Sequence, residues 1–180
     1  MAVLLAALLT GCIGATARST FDREVQERSG GVSGELLDRA LAAVADHLGT
    51  DRFSLRAISV EGRGRIVSME VQDPRQPDHL DTYRFHDDDL EDPRPILLSG
   101  STSMELTTFR VADVPALADV RELVDATRRR LDIDDGLVTL LAVRRNPNAD
   151  IEIVLDVTSE RAAGQARFDA AGMLLGATWS

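Results

Sequence analysis

The sequence predicts an α+β fold in which two similar units, each a helix followed by an antiparallel strand meander, form one compact body. The chain has 180 residues, 44% of them hydrophobic, which is enough to bury a core. Amphipathic helical patterns open both halves, and the spacing of apolar residues recurs at an offset of about 83 residues. We therefore expect αβββ or αββββ units over residues 35–98 and 113–180, with residues 99–112 as a connector or an extra strand.

The first unit opens with a helix between Ser33 and Gly49. Serine is a favoured N-cap residue and glycine is favoured just after a helix, so both ends are predicted. Between them, apolar side chains recur at spacings of three and four residues, which predicts one buried face. This face consists of Leu36, Leu37, Ala40, Leu41, Val44, Ala45 and Leu48.

Strands are predicted after this helix at residues 53–60, 65–72 and 80–86, with a further short strand at 96–98. The Gly-Arg-Gly sequence at 62–64 is typical of a tight turn between the first two strands. These elements form the meander of the first unit.

The second unit follows the same plan, with a helix entered through Asp113 and Pro115. The alternation of Ile151, Ile153, Leu155 and Val157 with Glu152, Val154 and Asp156 predicts a half-buried strand. The apolar face of this helix consists of Leu117, Val120, Leu123, Val124, Thr127 and Leu131. The predicted strands are 137–144, 151–158, 165–169 and 173–179.

Apolar positions of the two halves match at the constant offset. The matched positions are Leu37 with Val120, Leu41 with Val124, Leu48 with Leu131, and Phe85 with Phe168, each Phe preceded by Arg. A repeated helix-plus-meander over roughly residues 34–180 resembles the PepSY-like and β-lactamase-inhibitor-type α/β repeats of extracytoplasmic bacterial proteins. That resemblance implies a binding or inhibitory module rather than an enzyme.

The N-terminal sequence resembles a targeting signal. Residues 2–9 form an uncharged apolar run, too short for a bilayer of about 30 Å, and typical of the apolar region of a signal peptide. The sequence Leu9-Thr10-Gly11-Cys12 that closes it resembles the lipobox of bacterial lipoproteins. The resemblance implies that residues 1–11 are a signal peptide and that Cys12 carries fatty acyl chains such as palmitate. These chains would hold the protein in the lipid bilayer at the extracytoplasmic face of the cell membrane.

Two alternatives remain open for this segment. No Lys or Arg precedes the apolar run, and the sequence Ala15-Thr16-Ala17 also fits an ordinary secretory cleavage site. Cys12 could instead be a core cysteine on a buried N-terminal helix. Residues 12–34 are polar and rich in small residues, which predicts a flexible tether or, as the alternative, a first helix.

Charge and composition exclude several function classes. Twenty basic residues against thirty acidic ones give a net charge of −10, which repels nucleic acid, so we expect no nucleic-acid partner. All twenty basic residues are Arg, so Schiff-base, Walker-type and Ser-Lys chemistry is not available. A single cysteine permits no internal disulfide.

No motif points to catalysis or to a cofactor. Asp87, Asp88 and Asp89 are candidate ligands of a hard cation, but their spacing lacks the central Gly of an ion-wrapping loop, which favours a solvated hairpin. His79 and His86 flank a predicted strand without a third ligand at zinc-site spacing. We therefore expect no enzyme, no cofactor and no metal.

The sequence as a whole predicts a membrane-anchored extracytoplasmic lipoprotein that acts as a non-catalytic binding or regulatory module for another envelope protein. The alternative is a carrier of lipid or a small molecule, with an apolar pocket between helix and sheet. A secreted enzyme is the third hypothesis.

Overall fold

The computed structural model describes residues 30–98, 104–133 and 135–179. The lipobox residues Leu9, Thr10, Gly11 and Cys12 lie outside the described residues, as do residues 13–29 of the predicted tether. Residues 99–103 of the predicted connector also lie outside them.

Helices and strands alternate along the chain in two groups. The first group is α1 (Gly34–Leu48), β1 (Ser54–Glu61), β2 (Ile66–Gln72), β3 (Leu80–His86), β4 (Asp89–Leu90) and β5 (Arg94–Pro95). A helical turn, α2 (Met104–Thr107), and two 3-10 helices (Val111–Asp113 and Pro115–Asp119) follow. The second group is α3 (Val120–Leu131), β6 (Leu137–Arg145), β7 (Ile151–Thr158), β8 (Ala163–Asp169) and β9 (Leu174–Trp179).

All nine strands belong to one antiparallel sheet, so the α+β class is confirmed. The strand order is β4-β3-β2-β1-β6-β7-β8-β9, and β5 pairs with β3. The first strand of each group therefore lies at the middle of the sheet, and the later strands of each group extend outward from it.

Helices α1 and α3 pack on the same face of this sheet. Their buried residues and the alternate residues of the strands form one hydrophobic cluster. The cluster includes Leu37 and Val44 from α1, Leu123 and Val124 from α3, and Ile58, Val60, Met69, Phe85, Leu141, Val143, Ile153, Leu155 and Phe168 from the strands. The opposite face of the sheet carries the residues that alternate with these.

The ends of α1 follow the sequence closely. Gly49 terminates the helix in the left-handed conformation, with φ of 70°, and its N–H donates to carbonyls of the last turn. Ser33 occupies the N-cap position with extended backbone, although its side chain makes no capping hydrogen bond. Val32 is already buried and its N–H donates to the Val138 carbonyl at 2.9 Å, so the folded body begins before the helix.

The predicted start of α3 is wrong by about two turns. The helix begins at Val120 because Asp119 supplies the N-cap, its carboxylate accepting from the Glu122 N–H at 3.1 Å. Pro115 instead opens a 3-10 helix, and the Asp113 carboxylate accepts from the Arg110 N–H at 2.8 Å. Leu117 is buried as predicted, but from the 3-10 helix rather than from α3.

The short strand predicted at residues 96–98 is also wrong in position. The strand is β5, and Ile96 adds a single N–H bond to the Leu80 carbonyl at 2.8 Å. Leu97 is 96% exposed. Because no described residue packs over its side chain, burial does not favour strand pairing at this position.

Strands β1 and β6 pair in a register that has a local two-fold axis. Ser59 pairs with Ala142, while Ala57 and Glu61 pair with Arg144 and Leu140. The offset of about 83 residues noted in the sequence carries Ala57 to Leu140 and Glu61 to Arg144. The counterparts of two paired residues are therefore themselves paired, and Ser59 is opposite its own counterpart, Ala142.

Candidate functional site on the open face of the sheet

The face of the sheet opposite the helices is a regular surface formed by alternate residues of the strands. One line of cross-strand neighbours runs across its middle, from β3 through β2, β1, β6 and β7 to β8. We call these six residues the central row: Arg84, Ser68, Ser59, Ala142, Val154 and Arg167.

The central row has a small-residue floor and a charge at each end. Ser68, Ser59 and Ala142 are half-buried by their neighbours, and Val154 is 9% exposed. Arg84 and Arg167 are exposed at the two ends. With neighbouring strands about 4.8 Å apart, the two arginines stand about 24 Å apart across the sheet.

Further charged side chains border this floor in ion pairs. Arg167 Nη1 lies 3.3 Å from Glu152 Oε1, and Arg84 Nε lies 3.6 Å from Glu91 Oε1. On the neighbouring row, Gln165 Nε2 donates to Asp156 Oδ1 at 2.9 Å. Partly exposed pairs of this kind add little to stability, about 0–1 kcal/mol, so their groups remain available to contact another molecule.

The central row and the rows beside it carry hydroxyl and carboxylate groups. Ser59 and Ser68 place two hydroxyl groups on the central row, and the rows on either side carry Glu61 and Glu70.

The acidic cluster forms a hairpin turn. Asp87 and Asp88 both have positive φ, 53° and 63°, between the paired residues His86 and Asp89. The Asp88 carboxylate pairs with Arg39 of α1, and His86 Nδ1 lies 3.4 Å from Asp87 Oδ2. Within the described ranges, no three side chains of the ligating types converge on a point that could hold a metal ion.

A concave feature of the surface lies beside the end of α3. It is a surface groove of about 710 Å³, lined by Asp132, Ile133, Asp135, Ser159, Glu160, Arg161, Ala162 and Trp179. Most of these side chains are polar or charged, and the groove lies outside the space between helices and sheet. It therefore differs from the apolar pocket that the carrier hypothesis expects.

Two ionisable groups of the described residues have a pKa that is shifted from its ordinary value. Burial raises the pKa of the Tyr83 phenol, and the carboxylates of Asp81 and Asp73 raise it further. The hydrogen bond from the Arg110 N–H lowers the pKa of Asp113 against a smaller opposing effect of burial, and the Arg110 guanidinium lowers it further. Both groups lie away from the central row, so neither perturbation marks it as a catalytic centre.

The central row was not predicted from the sequence. Alternation within a strand separates two faces, but it does not say which face the helices cover. One signal was present: Arg84 and Arg167 are the arginines that precede the matched Phe85 and Phe168. Since those Phe side chains are buried in the core, the preceding residues had to lie on the opposite face.

Among the described residues, no helix combines the length and the apolar character needed to cross a membrane. No protein-family model matches the chain, and a comparison with curated proteins finds no match. Among solved structures, the fold is similar to that of a candidate lipoprotein from Clostridium difficile 630. The TM-score is 0.57 at 10% sequence identity, over 78% of this chain and 90% of the other. At that identity the similarity concerns the fold.

Proposed function

We propose that the protein is a membrane-anchored extracytoplasmic lipoprotein that binds another envelope protein through the open face of its sheet, without catalysis. The observation that carries this proposal is the central row, a shallow floor between Arg84 and Arg167 that no described helix covers. The motif that ends at Cys12 and the fold shared with a candidate lipoprotein support the membrane address.

The dimensions of the open face favour a protein partner. Three adjacent rows on six strands cover about 24 Å by about 15–20 Å, roughly half of the about 800 Å² that each partner buries in a standard interface, which suits a weak or transient complex. A small ligand would instead need a concave pocket that encloses most of its surface. A floor of small side chains with charged groups around it lets a partner approach the strands closely and aligns it by charge.

The kinship with PepSY-like and β-lactamase-inhibitor-type repeats belongs to the same proposal. It is supported by the register of β1 and β6, in which the counterparts of two paired residues are themselves paired. The central row follows the same symmetry, because Arg84 and Arg167 are also related by the offset of about 83 residues. A repeat of this kind would give the binding face two related halves.

No observation favours the carrier hypothesis. Leu37, Leu141 and Phe168 lie between helices and sheet, and each is at most 1% exposed. Their burial is what a packed hydrophobic core between helices and sheet requires.

The binding proposal is tested by a matched pair of Ala→Arg variants. Ala142→Arg places a long charged side chain at the middle of the floor, whereas Ala42→Arg places the same side chain on the exposed surface of α1. Proteins that copurify with the full-length chain from envelope extract are quantified for both variants. We expect Ala142→Arg to reduce a specific partner's recovery at least tenfold, with Ala42→Arg at the level of the unmodified chain. Equal recovery with both variants would contradict the role of the open face.

The anchor is tested separately through Cys12. We expect the mature protein to begin at Cys12 with added acyl mass, and the Cys12→Ser variant to move from the membrane pellet to the soluble fraction. Intact-mass measurement and fractionation read this out. A mature protein that begins at Arg18 or Met1, or a Cys12→Ser chain that stays in the pellet, would overturn the anchor without affecting the open-face proposal.

A further inference from the structure

The last strand leaves one edge of the sheet open. Strand β9 pairs with β8, and on its other side no described strand follows, so a row of backbone N–H and C=O groups faces outward. None of its six residues is charged. Large apolar side chains on and next to it are exposed: Met173 at 65%, Leu174 at 38%, Leu175 at 51% and Trp179 at 59%.

The opposite edge of the sheet has the usual protection against such pairing. Strands β4 and β5 have two residues each, and they contain Asp89, Arg94 and Pro95. Short strands, charges and proline are the means by which proteins prevent edge-to-edge association. The chain therefore protects one edge and leaves the other uncharged, apolar and longer.

The register shows which way the side chains of β9 point. Ala177 pairs with the buried Ala166, and Trp179 pairs with Gly164, which packs against Leu131. Ala177 and Trp179 therefore lie on the helix side of the sheet. By alternation Gly176 and Thr178 lie on the open face, while an irregularity in the pairing places Leu175 next to Leu174.

We propose that β9 pairs antiparallel with β9 of a second copy of this chain, about a two-fold axis at Ala177. This register keeps like faces together, with Gly176 opposite Thr178 and Leu175 opposite Trp179 of the other copy. The sheets of the two copies become continuous, and the interface is isologous, so each contact occurs twice.

The sequence of β9 favours a second copy as the occupant. The net charge of −10 on each chain opposes association, and the uncharged strand adds no local repulsion to it. Because the strand has small residues at its centre and large apolar ones near its ends, it complements itself in the antiparallel direction. The middle of the sheet joins β1 and β6 in the same symmetric manner.

This inference goes beyond the proposed function and does not depend on the lipid anchor or on the open face. It is tested through Trp179, which is the single tryptophan of the chain. Contact with Leu175 of a second copy would shield the indole, so we expect its fluorescence emission to shift to shorter wavelength as protein concentration rises. The shift should follow the dimer fraction measured by sedimentation equilibrium, and rise with ionic strength because salt screens the repulsion.

A matched pair of Leu→Lys variants locates the interface. Leu175→Lys should leave a monomer at concentrations where the unmodified full-length chain is dimeric, weakening association at least tenfold. Leu97→Lys makes the same change at the protected end of the sheet, at a residue that is 96% exposed, and should leave association unchanged. The apolar leader is present in both variants, so association through it would not distinguish them.

Disulfide trapping tests the position of the two-fold axis. In a Cys12→Ser background, Ala177→Cys should form a disulfide-linked dimer on mild oxidation, because residues on the axis of an antiparallel pair lie within bridging distance. Leu97→Cys in the same background should remain monomeric. A chain that is monomeric with unshifted Trp179 emission at all concentrations, or equal crosslinking of both cysteines, would overturn the proposal.

Discussion

Tyr83 is the residue whose environment makes the most definite prediction about solution behaviour. It is buried on β3, and its ring meets His47 of α1 edge to face, with centroids 5.5 Å apart. Burial raises its pKa, and the carboxylates of Asp81 and Asp73 add to the effect. Because the chain has one tyrosine and no lysine, this phenol dominates the alkaline titration of the described residues.

A pKa raised in the folded state means that folding opposes ionisation. The contribution of Tyr83 to the free energy of unfolding should therefore be fully present below about pH 10, the ordinary pKa of tyrosine, and be lost as the pH rises through the folded pKa. We expect Tyr83→Phe to remove most of this loss. Urea midpoints at pH 8 and near pH 11, together with tyrosinate absorbance, measure it. An equal alkaline loss in Tyr83→Phe would contradict the assignment.

Gly62 makes a steric prediction at the same scale. A Cβ added there would lie 2.3 Å from the carbonyl carbon of Gly31 and 2.4 Å from the Gly30 oxygen, both backbone atoms. Gly62→Ala must therefore displace the chain that leads into α1, and we expect a loss of about 1–3 kcal/mol in the free energy of unfolding. At Gly34 the nearest atom is 3.5 Å away, so Gly34→Ala should be neutral or slightly stabilising in the same urea titration.

At the scale of the elements, the start of α3 gives a further prediction. The Asp119 carboxylate caps the helix, so Asp119→Ala should lower the free energy of unfolding by about 0.5–2 kcal/mol. Asp38 lies on the exposed face of α1, where alanine is the better helix former, so Asp38→Ala should be neutral or stabilising. Thermal unfolding of both variants measures the difference. Equal losses would mean that the cap contributes nothing specific.

The sequence predicted most elements, and its errors have physical causes. The main strands and the buried faces of both helices follow from periodicity, which tertiary packing then satisfies. The start of α3 was misplaced because Asp113, Pro115 and Asp119 are all acceptable helix-start signals, and only the folded chain selects among them.

The open face could not be assigned from periodicity alone, and the exposure of β9 could not be foreseen. Ser59 alternates with Ile58 and Val60, which predicts two faces of β1, but the covered face is determined by where the helices pack. The sequence of β9 predicts an ordinary apolar strand. Its position at the edge, with Trp179 exposed, depends on the strand order of the whole sheet.

At the scale of the molecule, the junction of β1 and β6 makes the two groups of elements one structure. Val60, Leu141 and Leu155 are cross-strand neighbours on the core side, and each is at most 1% exposed. The hydrophobic cluster continues across this junction from α1 to α3. Because neither group has a core of its own that is separate from the other, we expect them to unfold together.

Two intrinsic probes can test this cooperativity, since Tyr83 belongs to the first group and Trp179 to the second. Near-ultraviolet circular dichroism of Tyr83 and fluorescence of Trp179 should give coincident urea transitions in dilute solution. Leu141→Ala removes buried volume at the junction and should cost about 2–5 kcal/mol, shifting both transitions equally. Leu140→Ala makes the same change on the half-buried open face and should cost less. If Leu141→Ala separated the Tyr83 and Trp179 transitions, the two groups would be independent folding units held together by the sheet, and the single core would not be the source of their stability.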